Sequence, residues 1–280
     1  MNLPAYDTKE QDVLDYLLPN GTRIVINQDG SSPDSTGRTI WLGAQVLEAY
    51  LHDLLKSTSP LVSPSNRNSA QRRQRIIDVG AGTGLSSLSL ASMGYDVLAT
   101  DLDLIVDGIL CQNIKANESI LEINAGPSQP RLETKVLDWF QDPHEWEWDG
   151  AGEEDVQEPT GPPFDYIVSA DTIYDPSLSQ PLLRTLHALA SRSSRSTTTS
   201  PLVYIALEAR DPALISDFLE SAERDWSFKC SRIDHSKLRK LVESKESGLG
   251  WEEEATWEGV EVWKLKLKKS ALISKREKRK

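Results

Sequence analysis

The sequence predicts an α/β fold built on an open, doubly wound sheet whose strands are mostly parallel. Apolar runs of strand length alternate with segments of helical periodicity along most of the 280 residues, which is the pattern of βαβ units. Three glycines at alternate positions follow one such run and precede a helical segment, as in a loop that joins a strand to a helix. After residue 224 no further strand and helix pair is evident, so we expect the sheet to end in an antiparallel pair.

The elements can be placed in chain order from their periodicity. An N-terminal strand is expected at 22–28, and apolar residues at spacings of three and four predict an amphipathic helix from Leu42 to Leu55. Further strands are predicted at 76–79, 96–100, 132–137, 164–169, 202–207, 226–233 and 260–267, and further helices at 85–93, 104–116, 178–190 and 212–224. Three polar segments interrupt this order: a serine-rich linker at 57–74, an acidic insertion at about 141–163, and a loop at 191–201 that we expect to be flexible.

Length and composition fit one main domain with two extensions. With 38% hydrophobic residues the chain can bury a full core, and we expect an N-terminal extension at 1–35, the domain itself at 36–267 and a basic tail at 268–280. No apolar stretch approaches the roughly 20 residues that cross a bilayer, and the first residues lack the regions of a signal peptide. We therefore expect a soluble monomer in the cytoplasm, the nucleus or both.

Cysteine and histidine usage argues against redox and metal chemistry. Cys111 and Cys230 fall on a predicted helix and a predicted strand, which is typical of buried thiols rather than of a disulfide. The four histidines are scattered along the chain, so no metal site is predicted.

The net charge of −12 is unevenly distributed. The insertion at 141–163 is acidic, whereas nine of the last seventeen residues are Lys or Arg. A net acidic body disfavours binding to a phosphate backbone, which depends on basic contacts, and suits a basic partner better. A solvated acidic loop and a disordered basic tail explain the same charges equally simply, so both explanations stay open.

The glycine loop predicts a nucleoside-containing ligand. The run Asp78-Val79-Gly80-Ala81-Gly82-Thr83-Gly84 joins a strand to a helix, and the next strand ends on Asp101. In this arrangement the glycines allow close approach to the helix N-terminus, and the acid can accept hydrogen bonds from a ribose diol. A dinucleotide fingerprint would place its third glycine at position 85, where this chain has Leu85, so the spacing favours S-adenosylmethionine over NAD. Asp78 can face the sulfonium charge. The alternative is a structural turn that binds nothing.

Four ordered motifs resemble those of a known enzyme family. They are Thr36-Gly37-Arg38-Thr39-Ile40-Trp41-Leu42-Gly43-Ala44, the glycine loop, Leu137-Asp138-Trp139 and Ser169-Ala170-Asp171-Thr172-Ile173-Tyr174. Together they look like the motifs of the family-16, methyltransferase-like, seven-β-strand protein-lysine methyltransferases, over about residues 36–267. The resemblance, closest to the methyltransferase-like 22 branch, implies a Rossmann-like sheet of seven strands, S-adenosylmethionine as the methyl donor, and a lysine of a basic protein as the acceptor.

The resemblance also implies roles for residues in the cofactor pocket. The Trp41 indole would border the pocket, the backbone at Gly80, Ala81 and Gly82 would line the methionyl part of the cofactor, and Asp101 would hold the ribose. Asp138 and Trp139 follow a parallel strand, so they belong to the edge where open α/β sheets bind ligands. There a carboxylate can accept from the adenine amino group while an indole stacks on the ring. Ala170, a small residue at the tip of the next strand, leaves space for the cofactor.

Asp171 and Tyr174 form the D-x-x-Y element that, in the family, lies where the substrate meets the methyl donor. Asp171 can orient the incoming ammonium, and Tyr174 can hydrogen-bond to it or offer it a ring face. Neither residue is an obvious strong base, so loss of the proton to water and general-base catalysis both stay open.

Two departures and two rival functions accompany this interpretation. Phe140 stands where relatives often have glycine, and the acidic insertion is longer than usual, so substrate access can differ.

A methyltransferase for small molecules or nucleic acids would share the cofactor site, although the Asp171–Tyr174 segment lacks the prolines of the N-P-P-Y and D-P-P-Y signatures. A catalytically silent cofactor-binding protein is the other alternative.

Overall fold

The computed structural model describes residues 1–31, 36–57, 73–125, 130–148, 161–194 and 200–268. Most of the predicted serine-rich linker, the middle of the acidic insertion, part of the loop at 191–201 and nearly all of the basic tail lie outside these ranges.

The described residues alternate between strands and helices in the predicted manner. In chain order they form α1 (Ala5–Thr8), β1 (Val13–Leu17), β2 (Arg23–Asn27), α2 (Leu42–Leu55), β3 (Arg75–Val79), α3 (Leu85–Ser92), β4 (Asp96–Asp101), α4 (Asp103–Ile105), α5 (Cys111–Ala125), β5 (Leu132–Val136), β6 (Tyr166–Ala170), α6 (Pro176–Ser193), β7 (Leu202–Glu208), α7 (Pro212–Arg224), β8 (Phe228–Arg232), α8 (His235–Glu243) and β9 (Val260–Leu267). A π-helical turn, Val106–Leu110, joins α4 to α5.

Seven strands form the main sheet in the order β5-β4-β3-β6-β7-β9-β8. The strands from β5 to β7 in this order are mutually parallel, whereas β9 is antiparallel to both β7 and β8. The predicted Rossmann-like α/β sheet with a closing antiparallel pair is therefore confirmed. Chain order runs outward from β3 in one direction and from β6 in the other, so the crevice between these two strands is the topological switch point, where open α/β sheets bind ligands.

The sheet is covered on both faces. Ile76 and Ile77 are neighbours on β3 but belong to different buried clusters, one on each face of the sheet. This is because successive side chains of a strand point to opposite faces. The first cluster contains residues of α2, α3, α5 and α8, and the second contains residues of α6 and α7. This arrangement confirms the doubly wound layering.

Helix boundaries follow from local capping signals. Asp175 accepts the Ser177 N–H at 2.8 Å, and Asp211 accepts the N–H groups of Ala213 and Leu214 at 3.0 and 3.1 Å. Each of these aspartates precedes a proline at the first helical position, where the missing N–H costs nothing. The predicted bounds of α2 and α7 are confirmed to the residue.

The predicted end of the helix at 104–116 is wrong. We expected a loop from Asn117, but α5 continues to Ala125. The asparagines here serve a tertiary contact, because Asn113 accepts the Asn27 N–H at 2.7 Å and Asn117 accepts the Val25 N–H at 2.9 Å. Their side-chain amides thus form hydrogen bonds with backbone groups of β2, along the edge of β2 that is not paired with β1.

The N-terminal hairpin of β1 and β2 packs on the main core, although only β2 was predicted. Its residues alternate between exposed and buried, and Leu14, Tyr16, Ile24 and Ile26 join the same buried cluster as α2 and α5. The segment expected to be an extension is thus in contact with the main domain.

Two further expectations need correction. Helix α8, which was not predicted, lies in the connection between β8 and β9, and it buries only Leu238 and Val242, too few apolar positions to be recognised in a polar segment. The predicted flexible loop at 191–201 begins too early, because α6 extends to Ser193.

The described ends of the acidic insertion and the two cysteines are partly buried. Trp146 is buried beneath the Arg192 guanidinium, whose carbon lies 5.4 Å from the ring centroid, and contacts Trp148 edge-on.

The two cysteines are free thiols on α5 and β8. We expected Cys111 and Cys230 to be buried, but both are only partly buried. Burial raises the pKa of Cys230 to about 12.

Candidate active site

A cleft lies at the carboxyl edge of the parallel strands, at the switch point between β3 and β6. It has about 990 Å³ of empty space, a volume that includes solvent at its open mouth. Every residue singled out from the sequence lines it: Trp41, Asp78, Gly80, Ala81, Gly82, Asp101, Asp138, Trp139, Ala170, Asp171 and Tyr174. The fold therefore brings together motifs that lie up to 133 positions apart in the chain.

The glycine loop is tied to the tip of β4. The N–H groups of Gly80 and Ala81 both donate to the Thr100 carbonyl at 2.9 Å, and Gly80 has a φ of 76°. A Cβ at Gly80 would lie 2.6 Å from Thr172 Cγ2 and 3.0 Å from the Trp139 ring. Glycine is therefore required here both by backbone conformation and by the close packing of two other motifs.

Asp101 is oriented by the backbone around it. One carboxylate oxygen accepts the Gly82 N–H at 2.8 Å, and the other accepts the Leu102 N–H at 2.8 Å. Burial raises the pKa of this carboxyl, and the two N–H donors oppose the rise. Each carboxylate oxygen has two acceptor sites, so capacity remains for hydroxyl groups of a ligand.

Asp78 is a buried acid beneath the glycine loop. It is 2% exposed, and the Ser87 hydroxyl donates to it at 2.7 Å. Burial raises the pKa of Asp78 to about 7, with the hydrogen bond from Ser87 opposing and the charge of Asp101 adding to the rise. A cation bound between these two acids would be stabilised by both.

The loop that carries Asp138 and Trp139 is held by a side chain of α6. Nη2 of Arg184 donates to the carbonyl oxygens of Trp139, Phe140 and Gln141 at 2.7, 2.9 and 3.3 Å. Sequence reasoning missed Arg184. The sequence offers no local signal for it, because an arginine beside the leucines of an amphipathic helix usually reaches solvent.

Asp171 caps α2 from another part of the chain. It has a φ of 55°, and its Oδ2 accepts the Ala44 N–H at 2.9 Å, near the start of that helix. A Cβ at Gly43 would lie 2.4 Å from Asp171 Oδ1, so glycine at that position permits the contact. Burial raises the pKa of Asp171 to about 7, Ala44 opposes the rise, and the charge of Glu208 adds to it.

Tyr174 stands at the rim of the cleft with 56% of its surface exposed. Burial of its hydroxyl, together with the charges of Asp101 and Asp175, raises its pKa. The phenol therefore stays protonated at neutral pH and can donate a hydrogen bond, but it cannot act there as a base.

A second cleft adjoins the first and shares four of its residues. Thr36, Trp41, Asp171 and Tyr174 line both, and the second cleft also includes Ile173, Leu207, Glu208, Arg210, Asp211 and Leu214. The Arg210 guanidinium carbon lies 4.8 Å from the centroid of the Trp41 ring, and Lys9 Nζ lies 5.4 Å from it. Trp41, Asp171 and Tyr174 thus stand between two open spaces.

Buried hydroxyl groups fix the strand tips beneath the site. Ser169 donates to the Val79 carbonyl at 2.7 Å and lies 2.8 Å from the Thr172 hydroxyl, and Thr100 donates to the Asp78 carbonyl at 2.8 Å. These bonds satisfy polar groups where the ends of β3, β4 and β6 separate, and they hold the motifs at fixed spacing.

Within the ranges that the structure describes, no group of three or more His, Cys, Asp or Glu side chains could hold a metal ion. Among the helices of those same ranges, none is both long and apolar enough to cross a membrane.

The strand order and the cleft at the switch point, lined by a glycine loop and acids, define the chain as a Rossmann-like, doubly wound α/β protein with a ligand site at the carboxyl edge of its sheet. Residues 19–225 match the lysine methyltransferase family, and the chain belongs to that family. This assignment confirms the resemblance indicated by the motifs and the predicted class of cofactor.

Several curated proteins are similar to this chain. It is 25% identical over 231 residues to methyltransferase-like protein 22 of Homo sapiens, which is 76% of this chain and 47% of that protein. It is 28% identical over 180 residues to ribosomal lysine N-methyltransferase 5 of Lachancea thermotolerans (59% and 52%). It is 24% identical over 181 residues to protein-lysine N-methyltransferase EFM3 of Saccharomyces cerevisiae (61% and 46%). The chain spans about half the length of these relatives.

Proposed function

We propose that this protein transfers a methyl group from S-adenosylmethionine to a lysine side chain of a protein substrate. The observation that carries the proposal is the position of Trp41, Asp171 and Tyr174 between two adjoining clefts. One cleft has the glycine loop and the acids suited to a nucleoside cofactor, and the other leaves a path for an acceptor. The names of the relatives, two of which are lysine methyltransferases, support the same chemistry.

The residues of the first cleft fit the cofactor. Asp101 would hold the ribose, Asp78 would face the cationic methionyl end, and the glycine loop would allow close approach. Asp138 and Trp139 would contact the adenine, on a loop backbone that Arg184 keeps in place, and Ala170 would leave room beside them. When bound, S-adenosylmethionine supplies an electrophilic methyl group, which an amine lone pair takes as the carbon–sulfur bond breaks.

The chain's own residues then position the acceptor. Asp171 would orient the incoming ammonium, and Tyr174 would donate a hydrogen bond or contact the amine with its ring. The amine must lose a proton before it attacks. Because the pKa of Asp171 is raised to about 7, its carboxylate can take part in that transfer or pass the proton to water.

We also propose a basic protein as the substrate, on the grounds that the net charge is −12 and that Asp171, Glu208 and Asp211 line the second cleft. In the proposed arrangement, 36–267 is the catalytic domain with the 1–35 segment packed against it. The protein would work as a monomer in the cytoplasm, the nucleus or both, and nucleic acid would not be its substrate.

The test is transfer of radiolabelled methyl groups from S-adenosylmethionine to a cell extract, with lysine methylation identified by mass spectrometry. The informative variants are Asp171→Asn, which keeps an acceptor for the Ala44 N–H, and Tyr174→Phe, which keeps the ring. Both should bind cofactor and lose most transfer to lysine. Equal labelling by wild type and the double variant would reject the assigned site. Labelling confined to RNA or metabolites would reject the substrate class, and the absence of any labelling would favour a silent binding protein.

A further inference from the structure

The second cleft contains one cation among acids and apolar groups. Of the described residues that line it, Asp171, Glu208 and Asp211 are acidic and Arg210 is basic. The cleft is bounded by the end of β7, the start of α7 and the Asp171–Tyr174 segment. A lysine side chain that entered by this path would pass the indole ring of Trp41. Its ammonium group would then lie beside the carboxylates of Asp171 and Glu208.

Arg210 already makes the contacts that such a lysine would need. Its guanidinium pairs with the Glu208 carboxylate, and its central carbon lies 4.8 Å from the centroid of the Trp41 ring. Aromatic faces and carboxylates are the two groups that most often receive a cationic side chain. The side chain of Arg210 is 59% exposed, whereas that of Glu208 is 27% exposed, so the cation lies over the mouth of the cleft and the acid lies deeper.

The contacts that hold the Arg210 guanidinium are weak, so another cation can replace it. An exposed ion pair and an exposed cation–π contact each contribute little net stability, and the Arg210 side chain can rotate into solvent without uncovering the core. An arginine also suits the position chemically, because its guanidinium stays protonated and so offers no lone pair for methylation while it occupies the path of the acceptor.

We propose that Arg210 is a place-holder for the acceptor lysine. In the acceptor-free protein it fills the cation position between Trp41 and Glu208. When substrate binds, Arg210 moves out and the ammonium group lies between Glu208 and Asp171, which both line the second cleft. This inference rests on the proposed function, since it names the residues that admit the acceptor. It makes Arg210 a specificity-determining residue that only a well-bound substrate displaces.

The first measurement is binding of a lysine probe to the full chain. Nα-acetyl-lysine methylamide would be titrated in the presence of S-adenosylhomocysteine, which has no methyl group to give, and the indole resonance of Trp41 followed by NMR. The Arg210→Ala variant should bind the probe about five-fold more tightly than wild type, since two weak contacts no longer compete. Glu208→Gln should bind it more weakly. Equal or weaker binding by Arg210→Ala would overturn the proposal.

The matched control is Arg232→Ala, which removes a similar ion pair with Glu261 on β8 and β9 and should bind the probe as wild type does. Cofactor binding by Arg210→Ala should also be unchanged; a loss would mean that Arg210 merely supports Trp41, and would overturn the place-holder role. Since no step of this titration requires turnover, a failure of lysine transfer in the extract assay and a failure of the place-holder remain separate results.

A second measurement uses the enzyme as its own acceptor. The amine introduced by Arg210→Lys would lie in the acceptor position, so incubation with S-adenosylmethionine should add methyl groups at position 210, detectable by peptide mass spectrometry. Arg232→Lys is the control and should gain none. If Arg210→Lys labels extract proteins but stays unmethylated at position 210, the cation site over Trp41 is not the acceptor position and the proposal is wrong.

Discussion

Asp171 combines a structural contact and a site contact in one side chain. Its Oδ2 accepts the Ala44 N–H at 2.9 Å and so caps α2, the helix that Trp41 precedes. The same carboxylate lines both clefts. An alanine substitution would therefore disturb the helix and the site together, at a cost of about 1 kcal/mol for a lost cap, whereas asparagine can keep the cap and remove only the charge.

We expect Asp171→Asn to change the pH dependence of methyl transfer. The folded-state pKa of Asp171 is raised to about 7, so the carboxylate loses its charge as pH falls through 7. If the charged form orients the acceptor, wild-type activity falls below pH 7, and Asp171→Asn has low activity without that inflection. Single-turnover labelling of extract lysines between pH 5.5 and 9 would measure both profiles. The same inflection in both proteins would contradict the role.

The protonation of Asp78 should change when the cofactor binds. Its pKa of about 7 in the free protein should fall when the cationic cofactor binds, because a nearby positive charge favours the ionised acid. Binding of S-adenosylmethionine near pH 6.5 should therefore release protons, and affinity should rise as pH increases through 7. Calorimetry in two buffers of different ionisation enthalpy measures the release. Neutral 5′-methylthioadenosine is the control ligand, and proton release that persists in Asp78→Asn would exclude this assignment.

Single residues also show how far the sequence could predict the site. Local motifs were enough to predict which residues line the cleft, because glycines and acids at the ends of parallel strands commonly belong to ligand sites. The contact between Asp171 and Ala44 joins positions 127 apart, and the bonds of Arg184 to the Trp139 loop span about 45 residues. Nothing local distinguishes these residues, since an aspartate at a turn and an arginine on a helix are common without any such partner.

Helix α6 supports the side of the cleft that carries Asp138 and Trp139. Arg184 reaches from this helix to three successive carbonyl groups of the loop after β5. Two turns further along, Arg192 donates to the Pro143 carbonyl at 2.6 Å and covers Trp146. The two arginines thus hold two parts of one connection, of which only the first lines the site.

We expect Arg184→Ala to weaken cofactor binding about ten-fold, because loss of a charged donor to these carbonyls releases the loop that carries Asp138 and Trp139. Arg192→Ala is the matched control on the same helix and should retain wild-type affinity, even if it lowers stability. Calorimetric titration with S-adenosylmethionine measures both. Equal affinities for the two variants would mean that the loop keeps its conformation without Arg184.

Elements that were predicted wrongly share a physical cause. Asn117 looks like a helix stop because asparagine favours turns, yet here its amide donates to the Val25 carbonyl at 2.8 Å and accepts the Val25 N–H. Helix α8 was missed because its few buried positions are stabilised by packing on α2 rather than by its own periodicity. In both cases a contact distant in sequence overrides the local preference.

Over the whole molecule, buried acids set the dependence of stability on pH. Glu48 is 1% exposed and receives a hydrogen bond from Ser89 at 2.9 Å, and burial raises its pKa well above the usual value. Asp78 and Asp171 have pKa values raised to about 7 for the same main reason. On the surface, the pKa values of Asp175, Asp225 and Asp234 are lowered by hydrogen bonds from neighbouring groups.

The two sets of acids act in opposite directions. An acid whose folded-state pKa is raised binds protons more strongly in the native protein, so its contribution to the free energy of unfolding decreases as pH rises above about 4. For Asp78 and Asp171 the decrease ends near pH 7. Acids with lowered pKa contribute stability that is lost only as pH falls below about 4. In the protein without cofactor, the combined contribution of these acids to the free energy of unfolding should therefore be greatest near pH 4.

Glu48→Gln tests this balance because Glu48 lies outside the residues that line the site. Glutamine keeps an acceptor for Ser89 and cannot ionise, so the variant should lose less stability than wild type between pH 5 and pH 8 and should be the more stable of the two at pH 8. Urea unfolding at each pH measures the difference, and Asp171→Asn, examined in parallel, should flatten the curve only up to about pH 7. If wild type and Glu48→Gln show the same slope, Glu48 is ionised in the folded protein, and the burial between α2 and α3 does not control its charge.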